Sequence, residues 1–480
     1  MTRERVEVGH AGDSLSRATA SSSITTLRFI RLVGEVAFGL LLVLGLITPS
    51  WRYGPFAWLP LWRYQELAGG PMTVGVANLL PLLVVAGLTT GWLARHGRNR
   101  WRWGPAAVVL PLLGLTIAGL LNVDYHNFRL AFIYGGMFAL SWLVYLYVVN
   151  ERPRLLPALA AILAIQGVVA IGQFVNQRDL GLGFLGELPL HPLLEGNSVL
   201  WARGRPWLRA YGLTAHPNLL GAMLAALLLL VLPALGRFRG ARRAGLAAAA
   251  LLGAAGLFLS FSRASWLAFA AGLGVWWLMA RFSRPRESGR QRVRRRWALA
   301  AVPLLLLIIA YRDLAFSRFF ALDSPIEATS INQRLHDAAL ALEIIGDRPL
   351  TGVGLGNYVD AAERLDADAA RVHNVGLLVT AELGLPGLLL WAALMVAPFW
   401  LLVRKRGNAD ARFAFRHAAA QLAPWVAMLV VNTFDTMMWL NSNWQTSILF
   451  ALLVANLVQP IAQIETADYT AFNALGSPSM

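Results

Sequence analysis

Twelve separate runs of apolar residues limit what this chain can become. They lie near 29–47, 72–93, 105–121, 129–149, 155–175, 217–235, 244–260, 264–280, 297–311, 374–403, 418–438 and 444–459. All but the 30-residue run 374–403 have the roughly 17–25 residues a helix needs to cross hydrocarbon, or slightly fewer. With 57% hydrophobic and only 14% charged residues, the chain is too apolar for a soluble domain of its size. In lipid, where no water satisfies the backbone, the spanning solution open to such runs is the helix. The expected fold is therefore an all-α polytopic membrane protein with about twelve transmembrane helices. The first run lacks a small-residue cleavage site and reads as a retained signal anchor. Residues 1–28 read as a disordered cytoplasmic tail, 29–459 as one membrane domain, and 460–480 as a second cytoplasmic tail.

Orientation follows from charge. Loops 94–104, 236–243, 281–296 and 404–416 hold four, four, eight and five Lys/Arg, with Glu287 and Asp410 their only acids. All four fall on one side if the N-terminus is cytoplasmic, as the positive-inside rule requires. The net charge of +16 thus describes membrane topology, and no nucleic-acid partner is expected. Two long connections, 176–216 and 312–373, then face the outside. The second holds ten acids against six arginines. Within it Ile331, Leu335, Leu342 and Ile345 recur at helical spacing before Gly346–Pro349. That spacing predicts an amphipathic helix along the membrane surface or against the bundle mouth. The absence of cysteine excludes disulfides, thiol catalysis and Cys-ligated metals.

On this topology four polar clusters meet the external face. One is Arg203, Arg205, Arg209 and Tyr211, ending in His216-Pro217-Asn218 at the start of span six; a second is Ser260-Phe261-Ser262-Arg263, in the turn between spans seven and eight. The third is Arg334 on the amphipathic helix with the Pro349–Asn357 loop behind it, and the fourth is His373-Asn374 with Glu382 nine residues on from His373. Glu382 lies about 13 Å deeper along a helix rising ~1.5 Å per residue. The Gly384-Leu385-Pro386-Gly387 step predicts a kink just below it. Arginines at a membrane mouth suit a phosphate or diphosphate, which their planar, permanently charged forks recognise.

Each group also has a structural reading. An interfacial arginine often snorkels to lipid head groups. His216 reads as the start of span six, with Pro217 at the favoured first helical position. A carboxylate inside a span, such as Glu382, is a functional candidate by default, although pairing with an arginine is equally physical. Asp435, with Asn432, is a weaker case of the same kind. Gly352–Gly356 could form a backbone anion nest, though a plain turn is commoner there. The Asp366-Ala367-Asp368 pair is rejected as a metal-binding DxD, because that chemistry serves cytoplasmic nucleotide sugars and this loop faces outward.

The segment from His373 fits the pattern H-N-x9-G-x-x-G through Asn374, Gly384 and Gly387. It resembles the signature of the O-antigen ligase and polymerase superfamily. Ser262-Arg263, the Arg334 helix, Pro349…Gly352-x-Gly354 and Gly212…His216-Pro217-Asn218 look like further family elements in the family's order, over roughly 205–440. The resemblance implies a GT-C-type membrane glycosyltransferase of the bacterial inner (cytoplasmic) membrane, working at the periplasmic face without cofactor or metal. Such enzymes take a glycan from undecaprenyl diphosphate and join it, with inversion, to an acceptor hydroxyl. By position, Arg209 and Arg263 would bind the diphosphate and His373 would orient or deprotonate the acceptor. Arg334, Arg205, His216, Asn374 and Glu382 would help hold donor or acceptor. Lipid A–core as acceptor makes a ligase, a second lipid-linked repeat unit a polymerase, and a Ser or Thr a protein-directed transferase; the ligase reading is preferred. A twelve-span secondary transporter is the remote alternative, and it would place its charges at the midplane.

Overall fold

The computed structural model describes residues 4–47, 60–66, 70–75, 80–94, 101–124, 128–282, 302–320, 325–404, 411–436, 439 and 444–459. The chain is mostly helical. In order the elements are α1 (Glu4–Ile47), hairpin β1–β2 (Pro60–Glu66, Gly70–Gly75), α2 (Leu80–Ala94), α3 (Ala106–Asn122), α4 (Phe128–Glu151) and α5 (Leu156–Asn176). Hairpin β3–β4 (Val199–Ala202, Arg205–Leu208), α6 (Pro217–Val231), α7 (Gly240–Leu259) and α8 (Arg263–Phe282) follow. Then come α9 (Val302–Ala310), α10 (Arg312–Phe320), α11 (Pro325–Asp347), α12 (Tyr358–Glu363), α13 (Val375–Arg404), α14 (Ala411–Phe434) and α15 (Trp444–Val458).

Among the described residues six helices are long and apolar enough to cross a membrane, within α1, α4, α5, α6, α7 and α13. Apolar stretches in α2, α3, α14 and α15 are shorter. Every expected span overlaps a helix, with three departures. The second begins at Leu80, because residues 70–75 pair antiparallel with 60–66 instead. Of the ninth, 297–301 lie outside the described residues, and α9 has only nine, about 13 Å at ~1.5 Å per residue. At the N-terminus, α1 already starts at Glu4, within the tail expected to be disordered. Once a span nucleates a helix, each added residue gains a bond without a new nucleation cost. Most of the arginine-rich loop 281–296, the middle of loop 404–416 and the tail 460–480 lie outside the described residues.

The bundle is organised around α6. Its sequence, PNLLGAMLAALLLLV, is apolar on every side, and nearly all of it is buried. A helix hydrophobic all round belongs in the interior, and α5, α7, α8 and α14 enclose this one. The N-terminus of α6 therefore opens at the centre of the bundle mouth, which is where the site is built.

The chain reaches that point through a non-helical stretch, 209–215, whose backbone cannot rely on water. Glutamine side chains satisfy it. On α5, Gln173 accepts from the N–H groups of Tyr211 and Gly212 at 3.1 and 2.8 Å and donates to the Gly212 carbonyl at 2.9 Å. One face-repeat away, Gln166 accepts from Leu213 N–H at 2.7 Å. From α15, Gln445 donates to the carbonyls of Leu213 and Leu46 at 2.9 and 3.0 Å. Gly212, at φ +56°, is held against Gln166 with no room for a side chain.

The predicted kink in α13 is present and filled. Gly384 sits at φ +68°, ψ −174°, outside the helical region. The loop 349–354 enters the notch: Val353 and Gly354 donate to the carbonyls of Ala381 and Glu382 at 2.9 and 3.0 Å, and Leu385 donates to Pro349 at 2.8 Å. Only glycine fits at 384, because a Cβ there would strike the Leu350 carbonyl. Leu355 continues the staple by donating to the Asn122 carbonyl at the end of α3. The Gly352–Gly356 segment is thus a brace between helices. The N–H groups of 353–355 face backbone carbonyls, which rules out an anion nest built from them.

Candidate active site at the mouth of the sixth helix

His216 is the N-cap of α6, and its Nδ1 accepts from the Asn218 N–H at 3.1 Å. The helix-start reading of this residue therefore holds. That bond also places the proton of the neutral ring on Nε2. Asn218, the second residue of the helix, is the hub of the cluster. Its Oδ1 accepts from Arg209 at 2.6 Å, and its Nδ2 donates to Asp435 Oδ2 at 2.8 Å. Arg209 is buried and reaches further: it donates to the Ser260 carbonyl and to Ser198 Oγ, both at 2.8 Å. One guanidinium thereby joins hairpin β3–β4, the α7–α8 turn and the start of α6.

Asp435 lies just beyond α14 and is 2% exposed. Besides Asn218 it accepts from the Thr436 N–H at 2.7 Å. Its Oδ1 faces His373 Nδ1 at 3.8 Å, close enough for an ion pair and too long for a hydrogen bond. The Nδ1 edge of His373 is buried, while the side chain as a whole is 32% exposed. The ring therefore turns one nitrogen to a buried carboxylate and leaves its other edge open. Asn374 fixes this placement, accepting from Leu377 N–H at 3.0 Å as the cap of α13 and donating to the Thr433 carbonyl at 3.1 Å.

Electrostatics follow from burial and neighbours. Burial first, then the Arg209 charge, pushes His216 down from 6.5 to about 4, although Asp435 opposes this. The charges of His373 and Arg334 add to the downward shift, so both stand within electrostatic reach of His216. His216 is therefore a neutral imidazole near pH 7. Because folding lowers the His216 pKa, the unfolded chain takes up the proton first. Stability should thus fall as pH drops from 6.5 towards 4, by up to about 3 kcal/mol. His216→Asn keeps a capping oxygen and cannot titrate, so it should flatten that acid limb in thermal unfolding of the detergent-solubilised protein. An unchanged limb would refute the assignment.

The remaining residues sit around this centre. Arg263 opens α8 and donates to the Arg318 carbonyl at 2.9 Å, while Arg318 Nε donates back to Phe261 at 3.2 Å. Helix α10 is thereby tied to the turn. Phe261, at φ +46°, is a non-glycine residue in the left-handed region, an arrangement costing on the order of 1–3 kcal/mol. Its ring is fully buried against Phe174, Phe258 and Trp266. Arg205 lies over the Trp207 ring at 4.0 Å, and Arg203 pairs with Asp313 at 2.7 Å. Glu382 is engaged elsewhere: buried, it faces Arg371 and receives the N–H groups of Gly356 and Tyr358. The brace loop thus folds around the chain's own carboxylate. Asp366, in the rejected DxD, pairs with His336 at 2.9 Å and caps Asp368 N–H.

The hub role of Asn218 was not readable from its place after His216-Pro217, and neither were the roles of Ser198 and the Gln166/Gln173/Gln445 clamps. For the glutamines there was a signal: two amides seven apart on one face of an apolar span.

A family model described as O-antigen ligase matches residues 248–392. That match, over about a third of the chain, supports the O-antigen ligase/polymerase superfamily. The match contains the Ser262-Arg263 turn, Arg334, the brace loop, His373-Asn374 and the kink, within a multi-pass membrane protein. Arg205, Arg209, His216 and Asp435 stand outside it. No curated protein matched the chain. The matched segment supports an O-antigen ligase/polymerase-type function, a family whose substrates are lipid-linked glycans.

Proposed function

We propose that this chain is an O-antigen ligase-like inverting glycosyltransferase that moves a glycan from undecaprenyl diphosphate to a hydroxyl of lipid A–core. In this reading it is a GT-C-type enzyme of the bacterial inner membrane. Residues 29–459 supply twelve spans, the tails 1–28 and 460–480 are cytoplasmic, and the loops 176–216 and 312–373 lie in the periplasm. The observation that carries the reading is the bonded chain Arg209–Asn218–Asp435 facing His373 at the mouth of α6. It brings a permanently charged guanidinium and a partly exposed imidazole to the mouth of one helix.

The chemistry follows from that arrangement. The acceptor hydroxyl attacks the anomeric carbon from the face opposite the diphosphate, so the new bond forms with inversion as the sugar–oxygen bond to phosphate breaks. The departing diphosphate takes the electron pair. Arg263 and Arg209, with Arg334 and Arg205 at the rim, stabilise charge where it develops, so a metal is dispensable to the step. The open edge of His373 receives the hydroxyl proton or holds it by a hydrogen bond, and Asp435 steadies the imidazolium at Nδ1. Holding two lipid-borne reactants at one depth supplies proximity. Asn374 and His216 act by fixing the starts of α13 and α6.

The test is transfer in vitro from a defined undecaprenyl-diphospho-glycan, offered lipid A–core and a second lipid-linked repeat unit as rival acceptors. Product on lipid A–core, undiminished in EDTA, is expected. Chain extension on the repeat unit alone would make the protein a polymerase. Strict dependence on a divalent cation would overturn the mechanism.

A further inference from the structure

The amphipathic helix α11 has two apolar faces, and the bundle uses only one. Asp337, Leu340, Ala341 and Ile344 are buried, on the side where α11 meets α12 and α13. On a helix turning ~100° per residue, Leu335, Ala338, Ala339, Leu342, Ile345 and Gly346 share another arc of roughly 120° that holds no charged residue between 335 and 346. Leu335 and Leu342 there are 67% and 60% exposed. Arg334 lies at one edge of this arc and Glu343 at the other. The sequence offered the membrane surface or the bundle mouth as alternatives, and the two faces allow both together.

What covers the open face is indicated by where it leads. Beyond α11, Leu350 is 68% exposed and sits at the α13 notch, where its neighbour Pro349 accepts from Leu385 N–H. Leu385 and Leu389 are 43% and 69% exposed on α13, a helix long and apolar enough to span. Pro349 and Leu350 thus tie the end of α11 to the notch of α13, beside leucines exposed on a helix long and apolar enough to span. An apolar arc with no hydrogen-bonding side chain matches hydrocarbon, and charged residues at its edges match a head-group boundary.

We propose that the open face of α11 rests on the lipid of the mouth-side leaflet, making α11 an in-plane interfacial helix. Arg334, at the edge of that face, is thereby held at head-group depth. Its charge already acts on His216, so seating the helix in lipid sets the height of one wall of the mouth. This seat is independent of whether the chain transfers glycan.

The chain has no cysteine, so single-cysteine spin labels can be placed without background. Leu335→Cys, Leu342→Cys and Asp347→Cys would be labelled in the full-length protein in phosphatidylethanolamine/phosphatidylglycerol vesicles, with Leu389→Cys as the lipid-facing reference. Collision rates with oxygen and with a water-soluble nickel chelate give the depth. Labels at 335 and 342 should match 389, with an oxygen-to-nickel ratio several-fold above that at 347. Ratios equal to that at 347 would mean an open aqueous face. Low collision with both reagents would mean a face covered by a second copy. Either result overturns the proposal, and Ala339→Cys on the same arc replaces a variant that fails to fold.

Discussion

Arg263→Ala should lose glycan transfer by about 10²–10³-fold, the range for deleting one preorganised donor to a developing anion, while expression and membrane insertion stay normal. Two features single out this arginine. It is the first residue of α8, where helix polarity already favours an anion. Its side chain is anchored from the far side, through the Arg318 carbonyl, so the guanidinium is oriented before any ligand arrives. A lysine keeps the charge but loses the fork, and Arg263→Lys should recover only part of the rate. Arg209→Ala should abolish transfer too, but it is a less clean probe. Removing that guanidinium also strands the Ser260 carbonyl, Ser198 and the Asn218 amide, at a cost of roughly 1–3 kcal/mol for each buried group left unsatisfied. Full transfer by both alanine variants, measured on purified enzyme with the defined donor, would remove the diphosphate assignment.

His373→Ala should lower turnover by about 10²–10⁴-fold, the usual worth of a positioned proton acceptor, with donor affinity nearly unchanged. An equal loss in turnover and donor binding would make His373 a binding residue. Asp435 extends the test. If it works through His373, Asp435→Asn should lower turnover in the wild-type background and do nothing further in His373→Ala. Additive losses would mean that the carboxylate acts through Asn218 and the α6 cap instead. Asparagine keeps the shape and one acceptor oxygen for the Asn218 amide, giving up the bond from the Thr436 N–H, while the charge facing Nδ1 is gone.

How far the residues alone carry this picture depends on the kind of signal. The His373-Asn374 start, the Gly384 kink and the Arg263 turn are local: a cap, a helix breaker and a short connection each declare themselves in a few consecutive residues. The amphipathic helix was placed correctly, but not which of its faces would be packed. That choice is made by α12 and α13, which bury Asp337 and Leu340 and leave Leu335 outside. Glu382 shows the same limit. A carboxylate in a span invites a functional reading, and the fold gives it Arg371 and two backbone N–H groups from a loop folded into the kink.

The sequence by itself determined the membrane class and the approximate positions of most apolar helices, because hydrophobic length, charge bias and helix-breaking residues act over one or two turns. Only the tertiary structure decided that Arg209, Asn218, Asp435 and His373 meet. Asn218 and Asp435 are separated by 217 residues and joined by one 2.8 Å bond. That meeting follows from the burial of α6 on all sides, which leaves its N-terminus as the point towards which the surrounding elements turn their polar groups.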